Sequence, residues 1–282
     1  MRAISCFVAG NKVATMSLAF LIIVVATAVF APCLAPYDPD AQDFTAARQA
    51  PSFSHPFGTD FQGSDVLSKI IYGARATVAV AFGVSTATVA LGFLLGILAG
   101  YKGGLSETVI MRVVDVTLAF PALLLNIILV AILGAGFESL FLALTLTGWA
   151  AVARITRGLV ISLANAQYVT SAHALGATGT RILLRHIVPN CASTIVIVFA
   201  MRAGATVLAA AGLNYLGLGD PQDTNSWGTM VNLAQFDIVT AWWWSLAPAT
   251  AIALTVLAMN LIADAARDYL DPRSGANLAE QR

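Results

Sequence analysis

Apolar positions in this chain fall into long blocks, not into the alternating or one-sided patterns of soluble strands and helices. Six blocks reach or approach the roughly 20 apolar residues that a helix needs to cross a bilayer core. They run over Val13–Leu34, Thr77–Tyr101, Val109–Leu133, Leu140–Ala153, Ala192–Leu216 and Trp242–Ala263. The fourth is short, and its helix is expected to extend on either side of Arg154. Pro121 lies inside the third and predicts a kink, because proline removes one helical hydrogen bond. A neighbouring helix can satisfy the carbonyl this frees. The pattern therefore predicts an all-α integral membrane protein with six transmembrane helices.

Composition agrees. The 282 residues are 58% hydrophobic and 11% charged, with mean hydropathy +0.80. Soluble domains carry about 25% charged residues, so an ordinary soluble globule is excluded. The net charge is +0, which gives no basic field for nucleic acid. Cys6, Cys33 and Cys191 are scattered without metal-ligand spacing and read as small apolar fillers. Met1–Pro36 has the outline of a signal peptide. Its apolar run exceeds the usual signal core of about 7–15 residues, so we read it as a retained first span.

Charge then orients the chain. With the N-terminus inside, the inner segments hold Arg2, Lys12, Lys102, Arg112, Arg154, Arg157, Arg181, Arg185, Arg267, Arg273 and Arg282. The outer segments hold Arg48, Lys69 and Arg75. The positive-inside rule thus places both termini in the cytoplasm. The loop Gly217–Ala241 has Asp220, Asp223 and Asp237 but no Lys or Arg, as expected outside. Trp242–Trp244 fits an interfacial aromatic belt. The chain divides into a cytoplasmic N-terminus (1–12), a peripheral first helix (13–34), an extracytoplasmic loop (35–69), a five-helix core (70–268) and a cytoplasmic tail (269–282), expected to be disordered after Pro272. No internal repeat is evident.

One polar, basic stretch interrupts the core on the cytoplasmic side: Asn165–Asn190, NAQYVTSAHALGATGTRILLRHIVPN. It reads as two short helices that turn at Gly176, the second stopped by Pro189. Tyr168, Val169, Ala172 and Leu175 recur at helical spacing and form an apolar face that can seat in a groove. Gly176 permits the turn. Arg181 and Arg185 share a helix face, where acidic protein residues or lipid headgroups can meet them. His186 either carries charge in the hairpin or simply packs. A plain amphipathic hairpin lying at the membrane surface is the simpler alternative.

The thirteen-residue spacing from Gly176 to Pro189 resembles the "EAA" coupling loop of ABC importer permeases. Other stretches extend the resemblance over nearly the whole chain: HPFGTDFQGSDVLSKIIYGAR (55–75), MRVVDVTLAFPALLL (111–125), LNYLGLGDPQDTNSWGTM (213–230) and WWWSLAPATAIALTVLAMNLIADAARDYLDPR (242–273). Together they resemble the C-type permease of dipeptide, oligopeptide and nickel importers. The resemblance implies a type I ABC importer transmembrane domain in the bacterial inner membrane. It further implies a homologous second permease, two ATP-binding subunits that carry ATP and magnesium, and an extracytoplasmic substrate-binding protein. The hairpin, with Tyr168, Ala172, Leu175, Gly176, Ala177, Arg181, Arg185, His186 and Pro189, would dock on the ATPase. Thr170, Ser171 and Ala172 stand where the family pattern has Glu-Ala-Ala, and the loss of the glutamate at Thr170 weakens any specific salt bridge to the ATPase. Ser64 stands where an arginine is common, and Ala210 where an acid is common.

Arg202 sits within the fifth span, where a charge costs about 2.5–3.5 kcal/mol on insertion scales. It either lines a translocation path and meets a carboxylate of the cargo, or pairs with an acid on a partner permease or with helix carbonyls. Arg112 and Asp115 lie one turn apart and are expected to pair. Asp264, Arg267 and Asp268 cluster as an anchor at the end of the last span. Gly83, Gly92, Gly96 and Gly100 suit close helix packing, within the chain or between subunits.

No G-x-x-x-x-G-K-[ST], H-E-x-x-H or G-x-S-x-G occurs, so the chain offers no ATP-binding loop, metalloprotease site or serine nucleophile. The three histidines lack metal-ligand spacing. No catalytic residue and no resident cofactor or metal are expected. An ion-gradient-driven secondary transporter is the main alternative, disfavoured by the near absence of acids within the spans. A non-transporting membrane scaffold would not need the polar hairpin. Cargo identity stays open among peptides, nickel chelates, opines, glutathione and haem.

Overall fold

The computed structural model describes residues 12–270, and these are mostly helical. Nine helices organise them: α1 (Lys12–Val29), α2 (Val66–Lys102), α3 (Gly104–Ala119), α4 (Ala122–Leu133), α5 (Phe137–Ala164), α6 (Gln167–Ala174), α7 (Val188–Tyr215), α8 (Trp227–Ala234) and α9 (Trp242–Leu270). Expectations for Arg2, Cys6, Arg273, Arg282 and the tail beyond Pro272 fall outside the described residues. Five helical segments are long and apolar enough to cross a membrane, and α3 with α4 supplies a sixth, broken one.

That break corrects the expected kink. α3 and α4 meet at 94°, far more than a proline bend within one helix. The cause is local. Proline crowds the residue before it out of the helical region, and Phe120 adopts φ −91°, ψ 143°. Pro121 follows at φ −58°, ψ 122° and becomes the N-cap of a new helix, its carbonyl accepting Leu125 N–H at 3.0 Å.

The fourth span is longer than its apolar block. α5 runs without interruption past Arg154 and Arg157 to Ala164. Two ion pairs make those charges tolerable: Arg157 with Glu107 and Arg154 with Asp115, each reaching from α5 to α3. The expected Arg112–Asp115 pair is therefore not formed. Packing of α3 against α5 offers Asp115 a cation on the facing helix, and the neighbour on its own helix loses.

The α2–α5 contact is the centre of the fold. Gly92, Gly96 and Gly100 let the backbones approach. A Cβ on Gly96 would lie 2.5 Å from Thr156 Cβ and 2.7 Å from the Ala153 carbonyl. On Gly92 it would lie 2.5 Å from Val152 Cβ. The glycine series thus serves packing within the chain. α1 buries Ala14, Ser17, Val24 and Ala28, while Met16, Ile22, Ile23 and Val29 stay exposed. Its inner side joins Ala74, Trp227 and Trp244 in one apolar cluster.

The loop between α1 and α2 is irregular yet tied down. Asp65 caps α2, accepting from Ser68 N at 2.8 Å and from His55 Nδ1 at 3.0 Å. Asp60 forms a buried ion pair with Lys69 at 2.6 Å and accepts the N–H groups of Gln62 and Ser64. Trp243 and Asp237 hold the same loop through Thr59 and Arg48. Together with the segment after α7, these contacts form a cap over one set of span ends.

Candidate coupling hairpin and intramembrane cleft

The polar hairpin is built by two turns of opposite character. α6 ends in a Schellman arrangement: Gly176 N–H bonds the His173 carbonyl at 2.9 Å and Ala177 N–H the Ala172 carbonyl at 3.1 Å. This requires the left-handed backbone of Gly176, φ +85°. On the return, Pro189 does not stop the second helix. A π-helical turn over Leu183–Ile187 leads straight into α7, with Pro189 in its first turn, where the missing N–H costs least. The wider turn takes up the proline ring, and Asn190 Nδ2 donates to the His186 carbonyl at 2.5 Å. Gly179–Tyr215 is consequently one continuous helical path.

The apolar face foreseen for docking is divided. Val169 is 1% exposed and packs inward with Val160, Ile182, Ile187 and Cys191, and Ala172 lies against the same cluster. Leu175 is 89% exposed at the tip, and Tyr168 and Leu184 are exposed beside it. Arg181 and Arg185 are exposed, while His186 is half-buried with its ring 6.3 Å from that of Tyr168. Half of the stripe thus fixes the hairpin to α2 and α5, and half is presented outward. Tyr101, at the end of α2, adds a hydrogen bond from its hydroxyl to the Gly179 carbonyl at 2.8 Å. Sequence reading missed Tyr101 because its partner lies 78 positions away.

Arg202 lies elsewhere, near the middle of α7. It lines a cleft of about 180 Å³ with Thr88 of α2, Ala122 and Asn126 of α4, and Thr147 of α5. Thr147 Oγ1 donates to Asn126 Oδ1 at 2.7 Å. Asn126 was a signal present in the sequence but unused: it is the single polar residue in ALLLNIILVAIL. Arg202 makes no ion pair or hydrogen bond with another described residue. Where α3 packs on α5, Glu107, Arg112, Asp115, Arg154 and Arg157 line a second, strongly charged cleft.

Helices long and apolar enough for up to six membrane crossings, a polar hairpin clamped to two of them and a polar cleft between helices fit a membrane transport subunit. Comparison with known proteins makes the class specific. Residues 92–275 match the family described as binding-protein-dependent transport system inner membrane component. Residues 9–51 match the N-terminal transmembrane domain of oligopeptide transport permease C. Over 255 residues the chain is 40% identical to the glutathione transport system permease protein GsiD of Pectobacterium atrosepticum, covering 90% of this chain and 85% of that one. Its identity to GsiD of Escherichia coli O157:H7 is 41%, covering 90% and 84%. Its identity to the oligopeptide transport system permease protein OppC of Bacillus subtilis is 34% over 264 residues, covering 94% and 87%. The chain belongs to the binding-protein-dependent permease family of ABC importers. It is a multi-pass inner-membrane permease subunit, and its family works with ATPase and substrate-binding partners.

Proposed function

We propose that this chain forms half of the translocation pore of an ATP-driven importer for a small peptide, either glutathione or a di- or oligopeptide. A homologous permease forms the other half, two ATPase subunits bind ATP and magnesium, and a binding protein delivers cargo outside. Both termini and the hairpin face the cytoplasm. The hairpin geometry supports this reading best: an exposed tip on a rigid base that continues into α7. Arg202 lies 13 positions beyond Pro189, or about 20 Å along one helix at 1.5 Å per residue. Closure of the ATPases would push the tip, and α7 would carry that displacement to the cleft as a stiff rod, switching the pore between outward and inward access. The broken span accommodates a partner permease. Val109, Val113, Val116, Phe120, Leu124, Ile128 and Ile132 are exposed on α3 and α4, a surface that lipid or a second subunit can cover. The names of the relatives support the cargo class.

The test is reconstitution of the co-expressed importer in proteoliposomes. ATP-dependent uptake of glutathione or a short peptide, lost when the binding protein is omitted, is expected. Uptake driven by an ion gradient without ATP would refute the reading in favour of a carrier.

A further inference from the structure

We infer that the cleft around Arg202 is an anion subsite that takes a carboxylate of the cargo during passage. The inference rests on the importer reading and deepens it. Four independent features converge in one place.

The cleft supplies donors and no acid. Arg202, Asn126, Thr88 and Thr206 line it as donors, Thr147 lines it with its proton already given to Asn126, and no Asp or Glu does. Asn126 Oδ1 is occupied by the Thr147 hydroxyl, so what Asn126 has left to offer is its N–H₂ group. Ser85 Oγ donates to Thr206 Oγ1 at 3.4 Å, which leaves the Thr206 proton available.

One donor is conspicuously unused. Thr88 is 2% exposed and its Oγ1 has no hydrogen-bond partner. A buried hydroxyl without a partner loses roughly 1–3 kcal/mol, a deficit that an acceptor in the cleft would remove.

The broken span adds backbone donors. Ala122, the first residue of α4, lines the cleft. Ala122, Leu123 and Leu124 have N–H groups with no acceptor within their own helix, and the positive end of the α4 dipole lies there. A helix restarted at a break in its span turns this end toward the cleft, as discontinuous helices do for the anionic group of a substrate. The 94° break at Phe120–Pro121 then has a purpose beyond shape.

Finally, Arg202 carries a full charge without a counter-ion among the described residues. A guanidinium forms two parallel hydrogen bonds to a carboxylate. Peptides and glutathione carry carboxylates at their C-termini, so the cargo itself can complete the site transiently. The bound anion must also leave, and Asn126 and the threonines bind more weakly than a second cation would.

The experiment uses the intact importer in proteoliposomes, with its binding protein at saturating concentration. The probes are glutathione and trialanine, each also as its C-terminal amide. The readout is the acid-to-amide uptake ratio, in which the binding protein's own preference cancels between variants. In Arg202→Gln the ratio should fall by about tenfold or more, the loss expected for a charged hydrogen bond. Arg202→Lys should fall between, and Thr88→Val, which keeps the shape, should lower the ratio severalfold. An unchanged ratio in Arg202→Gln overturns the inference and leaves the importer reading standing. So does Arg202→Gln failing to co-purify with its partner permease while Thr88→Val keeps the wild-type ratio. That pattern assigns Arg202 to an ion pair between subunits. Wild-type complex that takes up none of the probes with ATP refutes the peptide-cargo reading on which the inference rests.

Discussion

Asp60 offers the sharpest stability prediction. Its carboxylate is 2% exposed, and the Lys69 ammonium it meets at 2.6 Å is 5% exposed. Oδ1 separately accepts Gln62 N–H at 2.8 Å and Ser64 N–H at 2.9 Å. Asp60→Asn preserves an oxygen for those two bonds, removes the charge and turns an N–H₂ donor toward the Lys69 ammonium. Lys69 is then buried and uncompensated, which costs about 3–5 kcal/mol. Asp60→Ala should cost more, by about 1 kcal/mol for each lost backbone bond. The penalty belongs to the loop cap rather than the whole bundle, because the pair lies where the loop before α2 folds back on its first turn. Local opening is therefore the quantity to measure. Trypsin cleavage after Arg48, in the same loop, tracks the opened population when reclosing is fast. At about 1.4 kcal/mol per tenfold, Asp60→Asn should accelerate cleavage by roughly a hundredfold to a few thousandfold. Asp60→Asn combined with Lys69→Met should return most of the protection, since both charges are gone. A single variant as resistant as wild type, or a double variant no better than the single, would refute the reasoning.

Other consequences follow from individual contacts. Gly96→Val drives a side chain into Thr156 and Ala153 and should destabilise the protein by about 1–3 kcal/mol in detergent unfolding. Gly158→Ala on α5 is the control: nothing lies within 4 Å of its Cβ, so stability should hold or rise. Gly176→Ala meets no atom either, and its cost is the left-handed backbone alone, about 1–2 kcal/mol. Transport per ATP hydrolysed should fall in Gly176→Ala and fall less in Gly176→Asn. Burial raises the carboxyl of Asp223, helped by Asp220 and Asp40. A raised value means the folded state pays for ionisation above it and not below the ordinary carboxylate range. Asp223→Asn should therefore raise the melting temperature at neutral and alkaline pH, with the gain vanishing in acid.

Hydropathy and charge made the six spans and the hairpin legible. What they could not supply was backbone geometry at two prolines and pairing between helices. Pro121 in an apolar run looks like a kink. The outcome depends on Phe120 becoming extended, and the resulting right angle then exposes the amide end of α4. Pro189 looks like a stop, yet one π turn lets the helix pass through it and gives the hairpin a direct mechanical line to Arg202. Asp115 has a cation one turn away on its own helix, and the packing of α3 on α5 gives it Arg154 instead. The apolar stripe on α6 was visible, but spacing alone does not say that Val169 turns inward while Leu175 turns out. The cleft itself was half visible. Arg202 stood out as a charge in a span, whereas Thr88 and Thr147 are unremarkable in sequence and gain meaning only where α2, α4, α5 and α7 converge.

The central claim is that the tip of Asn165–Asn190 seats on an ATPase. In a background with Cys6, Cys33 and Cys191 replaced, Leu175→Cys places one thiol at the 89% exposed tip. A short photoactivatable cross-linker attached there, in the intact complex, should capture the ATPase subunit. Its yield should change when ATP is added. Labelling of that thiol from the outside of sealed cells, or cross-links to lipid alone with and without ATP, would contradict the account.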